Sequence, residues 1–113
     1  MEDAVSGQKI TARREGVTPE VRELRLYFRA LGDILRLRLL RELAAKGEKS
    51  VSQLVAALRV SQPLVSWHLN TLKRLGLVRI RRVGRQVYCS LDRAKLEYYQ
   101  NLFISYFSES AQD

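Results

Sequence analysis

Residues 50–74 read SVSQLVAALRVSQPLVSWHLNTLKR and predict two short helices joined by a tight turn. Ser50 and Gln53 have the spacing of a capping box, so the first helix is expected to begin directly after Ser50. Ser61 is expected to cap the second helix. Pro63 is tolerated in the first turn because an amide at that position has no acceptor within the helix. The stretch therefore has the pattern of a helix-turn-helix hairpin.

The second helix of this hairpin has two different sides. At about 100° per residue, its apolar arc consists of Val65, Leu69, Leu72 and Leu75. The opposite side consists of Pro63, Ser66, Trp67, Asn70 and Arg74. This side combines polar side chains with an aromatic ring and has no acidic residue. It is suited to reading the edges of base pairs, although a helical hairpin whose polar face simply meets water fits the same pattern.

The distribution of charge favours the nucleic-acid interpretation. The chain has 20 Lys and Arg residues against 12 Asp and Glu residues. Residues 21–91 contain 15 basic and 4 acidic residues, so the positive excess is concentrated around the hairpin. A domain this basic, built around a helix-turn-helix pattern, favours a polyanionic partner.

Length and composition place the chain among small proteins with one core. A chain of 113 residues can bury one hydrophobic core. No apolar run approaches the roughly 18 residues of a membrane span, and the N-terminus lacks the apolar segment of a signal peptide, so a cytoplasmic location is expected. Paired carboxylates, a nucleophile beside a base and a glycine-rich phosphate loop are all missing from the sequence, so we expect neither an enzyme nor a cofactor.

The chain divides into three parts. Residues 1–17 are polar and without periodicity, which predicts a flexible arm whose basic cluster either stays solvated or touches DNA phosphates. Residues 18–108 are expected to form the folded domain, with the helix-turn-helix at 50–74 and a wing at 77–91, and residues 109–113 a tail. Helix starts are predicted at Thr18-Pro19, Asp33 and Asp92, and helix ends at Gly32, Lys46-Gly47 and Gly76.

After Gly76 the periodicity changes from helical to alternating. Val78 and Ile80 alternate with arginines, and Val87, Cys89 and Leu91 alternate with Tyr88 and Ser90, which predicts two strands with one buried face. Gly84 between them supplies the positive φ of a tight hairpin. At the tip of this hairpin, Arg82 and Arg85 are expected to contact phosphate or the minor groove.

The last helix, predicted from Arg93 to about Ser108, is unusually apolar. Its seam consists of Leu96, Tyr99, Phe103 and Tyr106, and the first helix has a similar stripe of Leu24, Tyr27, Phe28 and Leu31. A two-fold symmetric dimer would bury both stripes, and this is the arrangement we expect. The alternative is that the two helices pack on each other within one subunit.

Residues 27–91 resemble the ArsR/SmtB family of winged-helix transcriptional repressors. The similarity lies in three segments, ALGDILRLRLL at 30–40, VSQPLVSWHLNTLKRLGLV at 60–78 and RRVGRQVYCSL at 81–91. Together with the periodicity, it implies a mainly α fold with a small β-hairpin, that is, a winged helix-turn-helix of five helices and a two-stranded wing. It further implies a homodimer that binds double-stranded DNA at an inverted-repeat operator and releases it in response to a signal.

The resemblance also implies that Ser61, Gln62, Ser66 and His68 face DNA. The helical wheel instead puts His68 at the edge of the buried arc, so a packed histidine is an equal alternative. Gln62 and Asn70 have amides suited to adenine, and Ser66 can serve either base. Trp67 is a further DNA-binding candidate on this helix. It is expected either to meet a thymine methyl or a sugar, or to form a platform for the wing. Lys73 and Arg74 are expected to hold phosphate.

The chain departs from the metal-sensing members of that family. Those members carry Cys-Val-Cys where this chain reads Ser50-Val51-Ser52, and hydroxyls coordinate soft metals weakly. One His and one Cys cannot supply a four-ligand zinc site within a subunit. We therefore expect no metal site, and we expect Cys89 to be buried and inert.

An effector and a second functional class are also considered from the sequence pattern. The sequence does not identify an effector, because aromatic packing explains the terminal helices more simply than a sensor pocket does. A second functional class, a winged-helix module that binds an acidic protein in a larger assembly, also fits the basic charge. The outward helix, polar and flanked by arginine, favours DNA.

Overall fold

The computed structural model describes residues 16–112, and the side chains of residues 16–108. Within this part of the chain, five helices surround a three-stranded antiparallel sheet with the strand order β1-β3-β2. The elements are α1 (Pro19–Leu31), α2 (Ile34–Lys46), β1 (Lys49–Ser50), α3 (Val51–Leu58), α4 (Gln62–Arg74), β2 (Val78–Val83), β3 (Gln86–Leu91) and α5 (Arg93–Gln112). The predicted winged helix-turn-helix is confirmed.

Most helix starts form as predicted, because a capping side chain lies next to the amides that it satisfies. Thr18 and Asp33 accept from the amides of residues 21 and 36, at 3.3 and 3.1 Å. The capping box before α3 is complete: the Ser50 hydroxyl accepts from the amide of Gln53 at 3.1 Å, and the Gln53 side chain accepts from the amide of Ser50 at 2.8 Å. Asp92 caps α5 at 3.0 Å through the amide of residue 95.

The cap at Ser61 differs from the prediction. Ser61 has the extended backbone of an N-cap residue, but its side chain makes no capping hydrogen bond. The hydroxyl at an N-cap normally accepts from the second or third helical amide, and the second helical residue here is Pro63, which has no N–H. One of the two usual donors is therefore missing, and the hydroxyl of Ser61 lies at the exposed surface.

The sheet has one strand more than predicted. Lys49 and Ser50 form β1 and pair with Cys89 and Tyr88 of β3. Two residues are too few for an alternating pattern, so periodicity does not predict this strand. The hairpin of β2 and β3, which we call the wing, has the predicted position, and its turn residue Gly84 has a φ of +60°.

The core lies between α2, α3, α4 and the sheet, and α1 and α5 close it from one side. The α4 residues Val65, Leu69 and Leu72 are fully buried in it. The rings of Tyr27 and Tyr99 stack with a centroid distance of 4.5 Å, so α1 and α5 pack on each other within one subunit.

This packing corrects part of the predicted dimer interface. Leu24, Tyr27 and Tyr99 are buried inside the subunit, and Leu31 and Leu96 pack against its core. Two apolar stripes at opposite ends of the chain can cover each other, and here they largely do. Phe28 and Tyr106 remain exposed, and Phe103 remains partly exposed.

The structure describes nearly all of the C-terminal end of the chain but little of the N-terminal end. The predicted arm lies outside the described residues except for 16 and 17, and so does the basic cluster of Lys9, Arg13 and Arg14. Helix α5 continues to Gln112, four residues beyond the end that its apolar pattern predicted. None of the described helices has the length and apolar character that crossing a bilayer requires.

Candidate nucleic-acid interface

A cleft of about 260 Å³ separates α4 from the wing. We call it the wing cleft. It brings together five of the ten predicted DNA-binding residues, namely Gln62, Ser66 and Asn70 of α4 and Arg82 and Arg85 of the wing. The rest of its lining consists of Val51, Ser52, Leu69, Ile80, Gln86 and Val87, so the lining has no acidic side chain.

The periodicity of α4 explains why three of these residues share one cleft. Gln62, Ser66 and Asn70 follow each other at intervals of four, so they form one row along the helix. Gln62 and Asn70 are exposed and Ser66 is half-buried. The neighbouring row that includes Leu69 is in the core, which fixes the rotation of the helix and directs the polar row toward the wing.

The arginines of the wing fall into two groups. Arg81 makes two hydrogen bonds with Glu48, at 2.8 and 3.1 Å, and Arg79 makes one with Asp92 at 3.0 Å. The hydrogen bond from Arg81 lowers the pKa of the Glu48 carboxyl, so this pair is ionised at neutral pH. Arg82 and Arg85 are exposed, and no ion pair joins either to a carboxylate of the described residues. The positive charge of the wing is therefore concentrated at its tip, beside the wing cleft.

His68 does not lie at this surface. It is only 5% exposed, and its Nδ1 accepts a hydrogen bond from Nε of Arg36 at 3.0 Å. The same guanidinium donates through Nη1 to the carbonyl of Ala30 at 3.1 Å. The implied DNA contact of His68 was therefore wrong, and the alternative of a packed, hydrogen-bonded histidine is correct.

Trp67 lies on the other flank of α4, away from the wing. Its side chain is 58% exposed, and the guanidinium carbon of Arg36 lies 5.9 Å from the centre of its ring. Trp67 is therefore not a platform for the wing. Arg74 lies on the same flank, with Nη2 3.4 Å from the hydroxyl of Thr71. Lys73 and Ser61 are exposed but do not line the wing cleft.

Two residues of this region, Arg36 and Gln86, are not among the predicted site residues. Arg36 reaches His68 across 32 positions of the chain, and no local pattern indicates such a contact. Gln86 lines the wing cleft beside Arg85. The sequence does contain an indication of this role, because an amide at the tip of an arginine-rich hairpin has the donor and acceptor that base reading requires.

Several side chains of types that bind metals are engaged or buried within the described subunit. The hydroxyl of Ser50 is used in the capping box, and the Nδ1 atom of His68 is used by Arg36. Cys89 is fully buried, and burial raises the pKa of its thiol to about 11, so it stays protonated. Across residues 16–108, no three side chains of His, Cys, Asp and Glu gather closely enough to hold an ion.

Known proteins share this fold and much of this sequence. The family described as bacterial regulatory protein, arsR family, matches residues 33–79. The transcriptional repressor SmtB homolog of Synechocystis sp. is 44% identical over 93 residues, which are 76% of this chain and 70% of that protein. The arsenic resistance transcriptional regulator ArsR1 of Pseudomonas putida is 38% identical over 78 residues, which are 69% of this chain and 57% of that protein.

A solved structure agrees with these sequence matches. The ArsR-like transcriptional regulator from Rhodococcus sp. RHA1 aligns with a TM-score of 0.71 at 32% identity, over 80% of this chain and 84% of that one. The resemblance found in the sequence is thus confirmed over most of the described fold. The chain belongs to the ArsR family of bacterial regulatory proteins, and it is a DNA-binding transcriptional regulator.

Proposed function

We propose that this regulator is a homodimeric repressor that binds an inverted-repeat operator in double-stranded DNA. In each subunit α4 enters the major groove and the wing touches the backbone beside it. The observation that carries the proposal is the wing cleft. In it, a polar row of α4 and two wing arginines that have no carboxylate partner among residues 16–108 line one surface, and that lining has no acidic residue. A regulator of bacterial transcription acts on the chromosome, so we place the protein in the cytoplasm.

The row in the wing cleft is proposed to read bases. From Gln62 to Asn70 the helix rises about 12 Å, at about 1.5 Å per residue, and this length corresponds to roughly three to four base pairs. The amides of Gln62 and Asn70 are suited to two hydrogen bonds with adenine, and the hydroxyl of Ser66 can pair with either a donor or an acceptor. Each half-site is therefore expected to have a short specific segment.

The tip of the wing is proposed to hold phosphate. Arg82 and Arg85 are free of carboxylate partners within the described residues, whereas Arg79 and Arg81 are paired with acidic side chains. Phosphate contacts add affinity but little sequence information. Ser61 and Lys73, exposed at the two ends of α4, are proposed to contribute in the same way.

A second copy of the chain is proposed to cover the aromatic residues left exposed on α1 and α5. Phe28 and Phe107 each contact the ring of Phe103, with centroid distances of 4.9 and 5.0 Å. Phe28, Tyr106 and Phe107 are exposed along this surface, which we call the aromatic patch. An apolar surface of this kind is typical of a protein interface, and a two-fold dimer would present two copies of α4 to the two half-sites.

The dimer is tested by sedimentation velocity over a range of concentrations. Phe107→Glu places a charge in the aromatic patch and is expected to give monomers at concentrations where the wild type is dimeric. Asn101→Glu is the matched control, because it adds the same charge to an exposed position of α5 outside the patch. If both variants sediment like the wild type, the aromatic patch is not the interface.

The DNA-binding roles are tested on a duplex selected from genomic fragments and on a random duplex of equal length. Gln62→Ala is expected to reduce the preference for the selected duplex by about tenfold, which lies within the 1–3 kcal/mol of a base contact. Arg85→Ala is expected to weaken binding to both duplexes alike and to reduce the salt slope by about one. Arg41→Ala removes an exposed arginine of α2 outside the wing cleft and controls for charge.

The comparison between the two variants decides the assignment. Equal losses by Gln62→Ala and Arg85→Ala on both duplexes would show that the row on α4 does not read bases. No preference of the wild type for any duplex over heparin would contradict the whole proposal and would favour an acidic protein as the partner.

A further inference from the structure

A second concave surface lies on the flank of α4 that faces away from the wing. This groove, of about 660 Å³, lies between α4, α1 and the turn that joins α1 to α2. We call it the α1–α4 groove. The residues of its lining that matter here are Leu26, Arg29, Asp33, Arg36, Trp67 and Arg74.

The lining of the α1–α4 groove is positively charged. It includes three guanidinium groups and one carboxylate, and that carboxylate, Asp33, is occupied by the amide of residue 36 as the cap of α2. Arg29 and Arg74 form no ion pair with a carboxylate of the described residues. Guanidinium groups without a carboxylate partner bind carboxylate or phosphate through two parallel hydrogen bonds.

The groove also has an apolar part. Trp67 is 58% exposed and Leu26 is 49% exposed, and both side chains line it. An exposed indole in a concave surface offers a flat face against which another ring can stack. The volume lies in the range of small-molecule sites, which combine apolar walls with a few charged groups. A DNA phosphate would use the arginines but would have no use for an apolar wall such as Leu26 provides.

We infer that the α1–α4 groove binds a small aromatic anion, with a carboxylate or phosphate group held by Arg29 and Arg74 and an aromatic ring against Trp67. Trp67 and Arg74 belong to α4, so a ligand held there restrains the helix that is proposed to enter DNA. Occupancy of the groove is therefore expected to weaken operator binding. This regulatory consequence rests on the proposed function, whereas binding of the anion does not.

Binding is measured through Trp67, which is the only tryptophan of the chain and lines this groove. Benzoate and phenyl phosphate are titrated against the purified full chain, and a saturable change in tryptophan emission is expected. Benzamide has the same ring without the charge, and acetate has the charge without the ring. Both are expected to bind at least tenfold more weakly.

Variants locate the site. Arg29→Gln and Arg74→Gln are each expected to weaken binding of phenyl phosphate by fivefold or more. Both side chains are exposed, so the thermal unfolding of these variants is expected to match the wild type. Arg25→Gln removes an exposed arginine of α1 outside the groove and is expected to change nothing.

Three results would overturn the inference: no saturable change with either aromatic anion, equal affinity for benzamide, or wild-type affinity in both Arg29→Gln and Arg74→Gln. Operator binding, measured without the probe, separates this inference from the proposed function. Duplex binding without anion binding refutes the groove alone, and anion binding without duplex binding refutes the repressor alone. Anion binding that leaves operator affinity unchanged would overturn the regulatory consequence.

Discussion

The hydrogen bond between Arg36 and His68 joins α2 to the helix that is proposed to read DNA, and it provides a direct test of how α4 is held. Arg36 donates to Nδ1 of His68 at 3.0 Å and to the carbonyl of Ala30 at 3.1 Å, so one side chain connects three helical segments. Arg36→Met removes both donors and keeps much of the aliphatic stem. The variant therefore removes the hydrogen bonds, together with the charge near the ring of Trp67, and keeps most of the packing of the side chain.

The expected loss of stability in Arg36→Met follows from the hydrogen bonds that it removes and from the acceptors that it leaves without a donor. Hydrogen bonds with a charged partner contribute about 1.5–3 kcal/mol each, and a buried acceptor left without a donor costs about 1–3 kcal/mol. Arg36 is half-buried, so we take the lower part of these ranges and expect Arg36→Met to reduce the free energy of unfolding by about 2–4 kcal/mol. His68→Leu removes the acceptor instead, and the freed guanidinium can reach water, so we expect a smaller loss of about 1 kcal/mol.

The double variant measures the coupling between the two residues. With both polar partners gone, no buried acceptor is stranded at position 68, so the double variant should be more stable than the sum of the single losses predicts, by about 1–2 kcal/mol. Urea unfolding is followed by helical circular dichroism and by the emission of Trp67, whose ring lies 5.0 Å from that of His68. Additive losses, or a loss below about 0.5 kcal/mol for Arg36→Met, would refute this account.

Two further predictions concern the frame around this contact. The pKa of the Asp33 carboxyl is lowered below its usual 3.8, mainly because the amide of Arg36 donates a hydrogen bond to it. The free energy of unfolding therefore includes a contribution from this ionised cap above about pH 4. That contribution is lost as the pH falls through the lower pKa of the folded state. Asp33→Asn should keep the cap at neutral pH and lose this acid dependence. Asp33→Ala should reduce the free energy of unfolding by about 1 kcal/mol at neutral pH. Equal urea midpoints for the two variants at neutral pH would contradict this. Gly76 has a φ of +79°, and an added Cβ would lie 3.2 Å from Lys95, so Gly76→Ala should cost about 1–2 kcal/mol in thermal unfolding. Gly84→Ala is the control, because Gly84 also has a positive φ but nothing lies within 4 Å of an added Cβ. If Gly84→Ala lowers the stability as much as Gly76→Ala or more, the contact with Lys95 has no effect.

The parts of this fold that sequence predicts are those decided by neighbours along the chain. A capping side chain reaches an amide three residues away, so the starts of α1, α2, α3 and α5 were all predicted correctly. The exception at Ser61 has a local cause as well, because Pro63 removes one of the amides that the hydroxyl would use. The missing cap at Ser61 can therefore be predicted from the position of Pro63 in the sequence.

Contacts between distant residues are harder to predict. His68 lies at the edge of the buried arc, where a helical wheel cannot tell packing from exposure, and its burial depends on an arginine from another helix. The stripes on α1 and α5 show the same limit. Periodicity indicates that Tyr27 and Tyr99 must be covered, but the stacking of their rings within one subunit depends on how the whole chain folds.

The division of α4 into rows links the site to the possibility of control. One row, with Val65, Leu69 and Leu72, is buried and fixes the rotation of the helix. The polar row beside it lines the wing cleft, and a third row, with Trp67 and Arg74, lines the α1–α4 groove. Because all three rows belong to one helix, a ligand on the third row is expected to act through α4 on the row that is proposed to face DNA. Control of this kind needs no change in the fold, because the α1–α4 groove and the wing cleft lie on two sides of the same helix.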